Sequence, residues 1–148
     1  VFNLTTPNFK LKEIKAQIIT QLQNIDGGSN YNNKLPHANI FSGFKSFETV
    51  NSYPTVCVGY IAEPDSIPTD QRTYECDITS ELYAYTKNSL NPLDYILDFC
   101  EDIQTCLLED PSLNSLIYQL SLSYEITSME DLGVAVITLK AKTEWTNS

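Results

Sequence analysis

Basic residues are scarce in this chain. Nine lysines and arginines stand against 19 acids in 148 residues, giving a formal net charge of −10 and a pI near 4.3. So acidic a surface repels nucleic acid phosphates, and no basic cluster offsets it, so the composition argues against nucleic-acid recognition. Histidine occurs once, as His37, and no nucleophile with an orienting acid accompanies it at a familiar spacing, so it reads as a surface histidine. A glycine-rich phosphate loop is missing as well. The run Asp26-Gly27-Gly28-Ser29 follows a helical pattern instead of joining a strand to a helix. The four cysteines, Cys57, Cys76, Cys100 and Cys106, form no CxxC pair or metal-ligand spacing. Three sit among apolar neighbours, so reduced structural thiols are expected, with a Cys57–Cys76 disulfide left open should their strands pair directly. No apolar run approaches the roughly 18 residues of a membrane span, and the first six residues show no basic region leading into an apolar one, so no signal peptide is expected. Neither an internal repeat nor a low-complexity tract is visible.

What the chain does contain is a globular composition. Hydrophobic residues make up 42% and aromatics 11%, which excludes disorder, and the length predicts one domain over residues 1–148. Leu11, Ile14, Ile18, Leu22 and Ile25 recur at helical steps and predict a helix over 9–26, with Asn8 as N-cap and Gly27-Gly28 as its stop. Periodicity then vanishes over 27–53. The aromatic content of that stretch (Tyr31, Phe41, Phe44, Phe47, Tyr53) is high for an exposed loop, and a short strand is expected near 39–47. After Pro54, Val56, Val58 and Tyr60 should point one way and Cys57 and Ile61 the other. A polar connection over 63–70 leads to a strand over 71–86. There Tyr74, Cys76, Ile78, Leu82 and Ala84 share one face and Thr73, Glu75, Asp77, Thr79 and Glu81 the other, an antiparallel hairpin.

Asn91-Pro92 opens a second helix, which should end before Pro111 with Leu93, Ile96, Leu97, Cys100, Ile103 and Leu107 as its core stripe. Strands over 115–127, apolar at even positions from Leu116 to Ile126, and over 133–145, apolar at odd positions from Ala135 to Trp145, make a second hairpin. Two helix stripes and one apolar sheet face imply an α+β fold, a two-layer sandwich. A largely antiparallel four- to five-stranded sheet would carry both helices on one face.

The second helix holds Asp94, Asp98, Glu101, Asp102, Glu109 and Asp110 without a base. A glycosidase would need one such carboxyl desolvated in a cleft, whereas acids along one helix flank ordinarily mark a solvated face of a single sign. Tyr95, Phe99 and Cys106 fall opposite the core stripe. Either the long loop folds over them or they meet another subunit.

The order of elements resembles the tail terminator family of long-tailed bacteriophages (tail completion proteins like minor tail protein U) over nearly the whole chain. The segment that carries most of it is Phe47-Glu48-Thr49-Val50-Asn51-Ser52-Tyr53-Pro54-Thr55-Val56-Cys57-Val58, similar to the family's aromatic-Pro-x-Val-x-Val strand after an irregular stretch. The acidic connection, the strand over 75–85, the helix ending in Glu109-Asp110-Pro111-Ser112-Leu113 and the last hairpin follow in the family's order. The resemblance implies a non-enzymatic virion protein without cofactor or metal. Assembled in the host cytoplasm and placed at the tail–neck junction, it would form a hexameric ring that caps the major tail tube protein, ends polymerisation and receives a head-completion or neck protein. DNA would pass through the lumen without specific binding, and no membrane is involved. On this reading Tyr95, Phe99, Phe41, Phe44 and Phe47 would lie between subunits. Glu63, Asp65 and Asp70 would face tube or neck, and Asp94, Asp98, Glu101 and Asp102 would line the lumen. A neck or head-completion adaptor, or a small-ligand-binding α+β domain with a pocket between helices and sheet, is the alternative.

Overall fold

The computed structural model describes residues 10–62, 66–68 and 73–146. Two helices, α1 (Leu11–Leu22) and α2 (Pro92–Leu108), lie on one face of a mixed sheet. Its strands are β1 (Ile40–Phe41), β2 (Thr55–Ala62), β3 (Ser66–Pro68), β4 (Thr73–Lys87), β5 (Gln119–Met129) and β6 (Leu132–Thr146). The sheet order is β1-β2-β4-β6-β5, and β3 pairs with the start of β4. β1 runs parallel to β2, and every other pairing is antiparallel. The α+β sandwich with both helices on one face is therefore present, and both hairpins form as expected. α1 packs on β2 and α2, while α2 covers β4, β6 and β5.

Register explains the core. Even positions of β4 lie opposite odd positions of β6, so Ile78 meets Ala141, Leu82 meets Ile137 and Ala84 meets Ala135. β5 continues the same face with Leu120, Leu122, Tyr124 and Ile126. Against it α1 sets Ile14, Ile18 and Leu22, and α2 sets Ile96, Phe99, Ile103 and Leu107, all fully buried. Gln21 shares the buried face of α1. Its amide donates to the carbonyls of Cys106, Leu107 and Asp110 at 3.1, 3.2 and 3.3 Å, filling acceptors that the end of α2 leaves open.

Several expectations are corrected. α1 ends at Leu22, short of the glycines; Gly27, at φ +80°, belongs instead to a turn that the Asp26–Lys34 bridge closes. Only Ile40–Phe41 is strand in the long irregular stretch, flanked by single 3₁₀ turns at His37–Asn39 and Phe47–Thr49. The residues over 115–118 are not strand, because Leu113, Asn114 and Ser115 all take positive φ. β2 changes phase at a bulge between Val58 and Tyr60, so Tyr60 is exposed and Ile61 joins the core, the reverse of simple alternation. The buried Ser80 hydroxyl donates to the Tyr60 carbonyl at 2.7 Å beside that bulge. Cys57 sits opposite Tyr83 and Cys76 opposite Thr143, far along β4 and on opposite faces, so no bridge joins them. The expected N-cap Asn8 and the side chains of Thr73, Tyr74 and Trp145 lie outside the described residues.

The N-terminus of α2 abuts the sheet at Gly133. A Cβ there would come within 2.6 Å of the Ile96 Cβ and 2.9 Å of the Pro92 carbonyl oxygen, so the strand approaches the helix only without a side chain. Gly133→Ala should therefore destabilise the protein by about 1–3 kcal/mol through overpacking. Phe99→Ala should cost about 3–5 kcal/mol through the cavity it leaves. Urea denaturation midpoints measure both.

Candidate functional site

α2 presents three flanks, each with its own neighbours. One flank is buried against the loop after α1. Asp102, 1% exposed, accepts the backbone N–H of Asn32 at 2.7 Å and that of Asn33 at 2.9 Å, and the Asn33 amide at 3.0 Å. The Asn32 amide adds bonds to the Asp98 carbonyl and the Glu101 carboxylate at 3.2 and 3.3 Å, and the Tyr31 hydroxyl donates to Glu109 at 2.7 Å. Part of the uncompensated acid of α2 thus receives N–H donors from a polar loop. Burial raises the Asp102 carboxyl pKa, and the bonds from Asn32 and Asn33 work against it. Burial and the Glu109 carboxylate likewise raise that of Tyr31.

Two residues expected on an assembly surface are withdrawn from it by this packing. Phe99 is fully buried in the main core, in one cluster with Ile25 and Leu35 and with Tyr31 packed against it, so it is not exposed for a subunit contact. Asp102 is a buried acceptor and lies on no lumen-facing patch. Tyr95 is half-buried. The second flank, carrying Asp94, Asp98 and Glu101, is exposed as expected. The third carries Leu93, Leu97 and Leu108, and there the structure also departs from the sequence pattern. Leu93 and Leu97, counted in the core stripe, are 45% and 44% exposed. Helical arithmetic applied to the stripe's edge could have shown this, since Leu97 stands about 100° from Ile96. Glu63, Asp65 and Asp70 lie outside the described residues.

A second candidate surface lies on the sheet face away from the helices. Residues 40–54 lie over the β2–β4 end and build a small cluster of Val50, Cys57 and Tyr85, with Phe41, Tyr53, Tyr83 and Val134 packed around it. The Lys45 carbonyl anchors it, accepting the Tyr85 hydroxyl at 2.6 Å and the Cys57 thiol at 3.7 Å. Burial pushes Tyr85 up to about 12 and raises Cys57 as well, which keeps that thiol protonated. Phe44 meets the Tyr83 ring edge-on, with centroids 4.9 Å apart, and the Lys45 ammonium sits 4.1 Å from the Phe41 ring centroid. Tyr83 in turn lies so close to Gly59 that a Cβ there would fall 2.6 Å from its ring. From this anchored segment Phe44 stands 56% exposed and Phe47 39%, while Phe41 is half-buried. Tyr83 and Tyr85 were legible as odd positions of β4, opposite the apolar face.

His37 is exposed, with one ring nitrogen 3.3 Å from the Gln23 carbonyl. Among the described residues no group of three His, Cys, Asp or Glu is placed to hold a metal ion, and no helix is long and apolar enough to cross a membrane. Cavities of about 360 to 380 Å³ open on the outer face and along the second hairpin. One is lined by Asp77, Thr79, Gln119, Ser121, Lys140 and Lys142, and another by Phe47, Tyr53, Lys87 and residues 129–132. Neither lies between the helices and the sheet, where the small-ligand alternative placed its pocket. The arrangement offers surfaces for docking more readily than a converging set of reactive groups.

No protein-family model and no curated protein matches the chain. Among solved structures, a chain of the "Virion of native gene transfer agent (GTA) particle" is similar with a TM-score of 0.48 and 10% sequence identity, over 93% of this chain and 99% of that one. A likeness so remote carries no role from that particle to this chain.

The Asp102 clamp is directly testable. Asp102→Ala leaves two backbone N–H groups without their acceptor and should cost about 2–4 kcal/mol in chemical denaturation. Asp102→Asn should also destabilise, because it turns an amide N–H toward an N–H. Carboxyl-carbon NMR should show Asp102 titrating above the ordinary value of about 3.9. Its folded pKa is raised, so the stability linked to it declines as pH rises from the ordinary value through the raised one. Asp110 should titrate below the ordinary value, held down first by the Ser112 hydroxyl and then by the Asn114 N–H. The stability linked to Asp110 is present above the ordinary value and lost as pH falls through the lowered one.

Proposed function

We propose that this chain is a structural virion protein of a long-tailed phage, a tail terminator. Six copies would close a ring on the last ring of the tail tube, stop its growth and present the surface that receives the head-completion or neck protein. The observation that carries the reading is the anchored aromatic segment over 40–54. The stretch through which the sequence resembles the family, residues 47–58, includes Tyr53-Pro54, a cis peptide bond at the entry to β2. Just before and within it Phe44 and Phe47 project from a base fixed by Lys45, Cys57 and Tyr85. A rigidly based aromatic pair suits a contact surface, because little side-chain and loop entropy is lost on docking.

Binding energy is the whole mechanism in this reading. Copies meet head to tail, with Phe41, Phe44 and Phe47 on one side and Tyr95 on the other, and such contacts close into a ring only at the right rotation per subunit. The acidic connection with Glu63, Asp65 and Asp70 faces tube or neck. Asp94, Asp98 and Glu101 turn to the lumen, where a negative wall lets DNA pass without adhering. No reaction step is required of any residue.

Mixing the purified chain with polymerising tail tube protein should give tubes of arrested growth with a ring at one end, seen by electron microscopy. Phe44→Ala with Phe47→Ala should weaken ring formation by about tenfold or more and leave the melting temperature nearly unchanged, since both rings are exposed. A chain that stays monomeric beside tube protein and leaves tube growth unaltered would sink the reading. Binding to portal-side rings in place of tubes would move the chain to the neck adaptors.

A further inference from the structure

The sheet ends differently on its two sides. At one end the 40–54 segment and β1 wrap over β2. At the other end β5 is terminal, and no described residue pairs with its outer edge. An open edge strand of 11 residues is a template for another strand, and folds ordinarily blunt one with lysine, proline or a bulge. β5 contains neither lysine nor proline, and its register with β6 runs unbroken from Gln119 to Met129.

The core is also open along this side. Leu120, Leu122, Tyr124 and Ile126 are half-buried, whereas their β6 partners Ala141, Leu139, Ile137 and Ala135 are fully buried or nearly so. On α2, Leu93, Gln104, Leu97 and Leu108 fall within an arc of about 60° at the helical repeat. The Tyr124 hydroxyl donates to the Gln104 side chain at 2.7 Å, which sets that arc beside β5. The three leucines on it are between 44% and 46% exposed. Edge strand, half-open core and leucine row form one apolar seam.

We propose that this seam binds a second copy of the chain, through antiparallel β5–β5 pairing about a twofold axis at Tyr124, the midpoint of the strand. That register keeps apolar positions together, setting Leu122 opposite Ile126 of the second copy and Ser121 opposite Thr127. Glu125, the strand's single charge, falls opposite Ser123 and not opposite itself, so β5 pairs without a like-charge contact. The half-buried side chains of both strands are then covered by the leucine rows of two α2 helices. A chain of net charge −10 repels its own copies over most of its surface, and this strip is where acids are nearly missing. A twofold contact closes on itself and builds no sixfold ring, so the pairing stands apart from the proposed ring contacts at the opposite end of the sheet.

Sedimentation equilibrium of the full chain, alone, from micromolar to millimolar concentration should show a monomer–dimer equilibrium. Leu97→Glu should raise the dimer dissociation constant by about tenfold or more and keep the fold, since that side chain is half exposed in the monomer. Chains carrying Ser123→Cys, mixed with chains carrying Glu125→Cys, should form an intermolecular disulfide faster than either chain alone, because only the mixture places two thiols opposite each other. A monomer at every concentration, open-ended oligomers, or a mixture no faster than its components would each overturn the proposal.

Discussion

Removing an ionised carboxylate from water costs several kcal/mol unless its lone pairs are filled, and Asp102 is 1% exposed near the middle of α2. Three N–H donors fill it, two from the backbone of consecutive residues in a loop that has few apolar side chains to hold it down. The exchange is mutual. The loop gives the carboxylate its partners, and the carboxylate fixes the loop so that Ile25 and Leu35 complete the core cluster that contains Phe99 and Cys106. Gln21 acts in the same spirit from α1, closing the end of α2 with three carbonyl contacts. The helix layer is therefore joined by buried polar groups as much as by apolar stripes, which fixes the relative placement of its parts more narrowly than non-directional burial would.

The sheet solves a different problem. Eight residues of β2 must serve a core on one side and an aromatic cluster on the other. The bulge near Gly59 divides the work. Before it, Val56 and Val58 face the helices and Cys57 the outer cluster; after it, Ile61 turns inward and Tyr60 outward. Glycine at that position also leaves room for the Tyr83 ring, on which Phe44 rests. The exposed aromatics at 44 and 47 thus depend on a backbone irregularity in the neighbouring strand.

How much of this was legible follows from which forces are periodic. The two helix stripes, the alternation of β4 and β6 and both hairpins could be read, because each is a repeat of apolar positions with a recognisable stop. The bulge could not, since alternation assigns Tyr60 and Ile61 by parity and nothing local marks the phase change except a glycine. Asp102 could not be told from Asp98, because its burial depends on a loop about 70 residues away in sequence supplying N–H groups. Of the expected surface residues, Phe44, Phe47, Asp94, Asp98 and Glu101 are exposed, while Phe99 and Asp102 went the other way for one shared reason. Both lie on the flank that the loop covers.

The apolar stripe of α2 is wider than its own core can use, and the surplus is unevenly placed. On the loop side the excess, Phe99 and Cys106, is absorbed within the chain. On the β5 side it is not, and Leu93, Leu97 and Leu108 remain beside an unguarded strand edge. Solubility alone would favour charge there, as it does along Asp94, Asp98 and Glu101 on the adjoining flank of the same helix. The contrast between these neighbouring flanks gives the seam its weight. A chain carrying more than twice as many acids as bases keeps them off one continuous strip. That strip couples an open backbone edge to unburied leucine, the combination that strand addition satisfies at once.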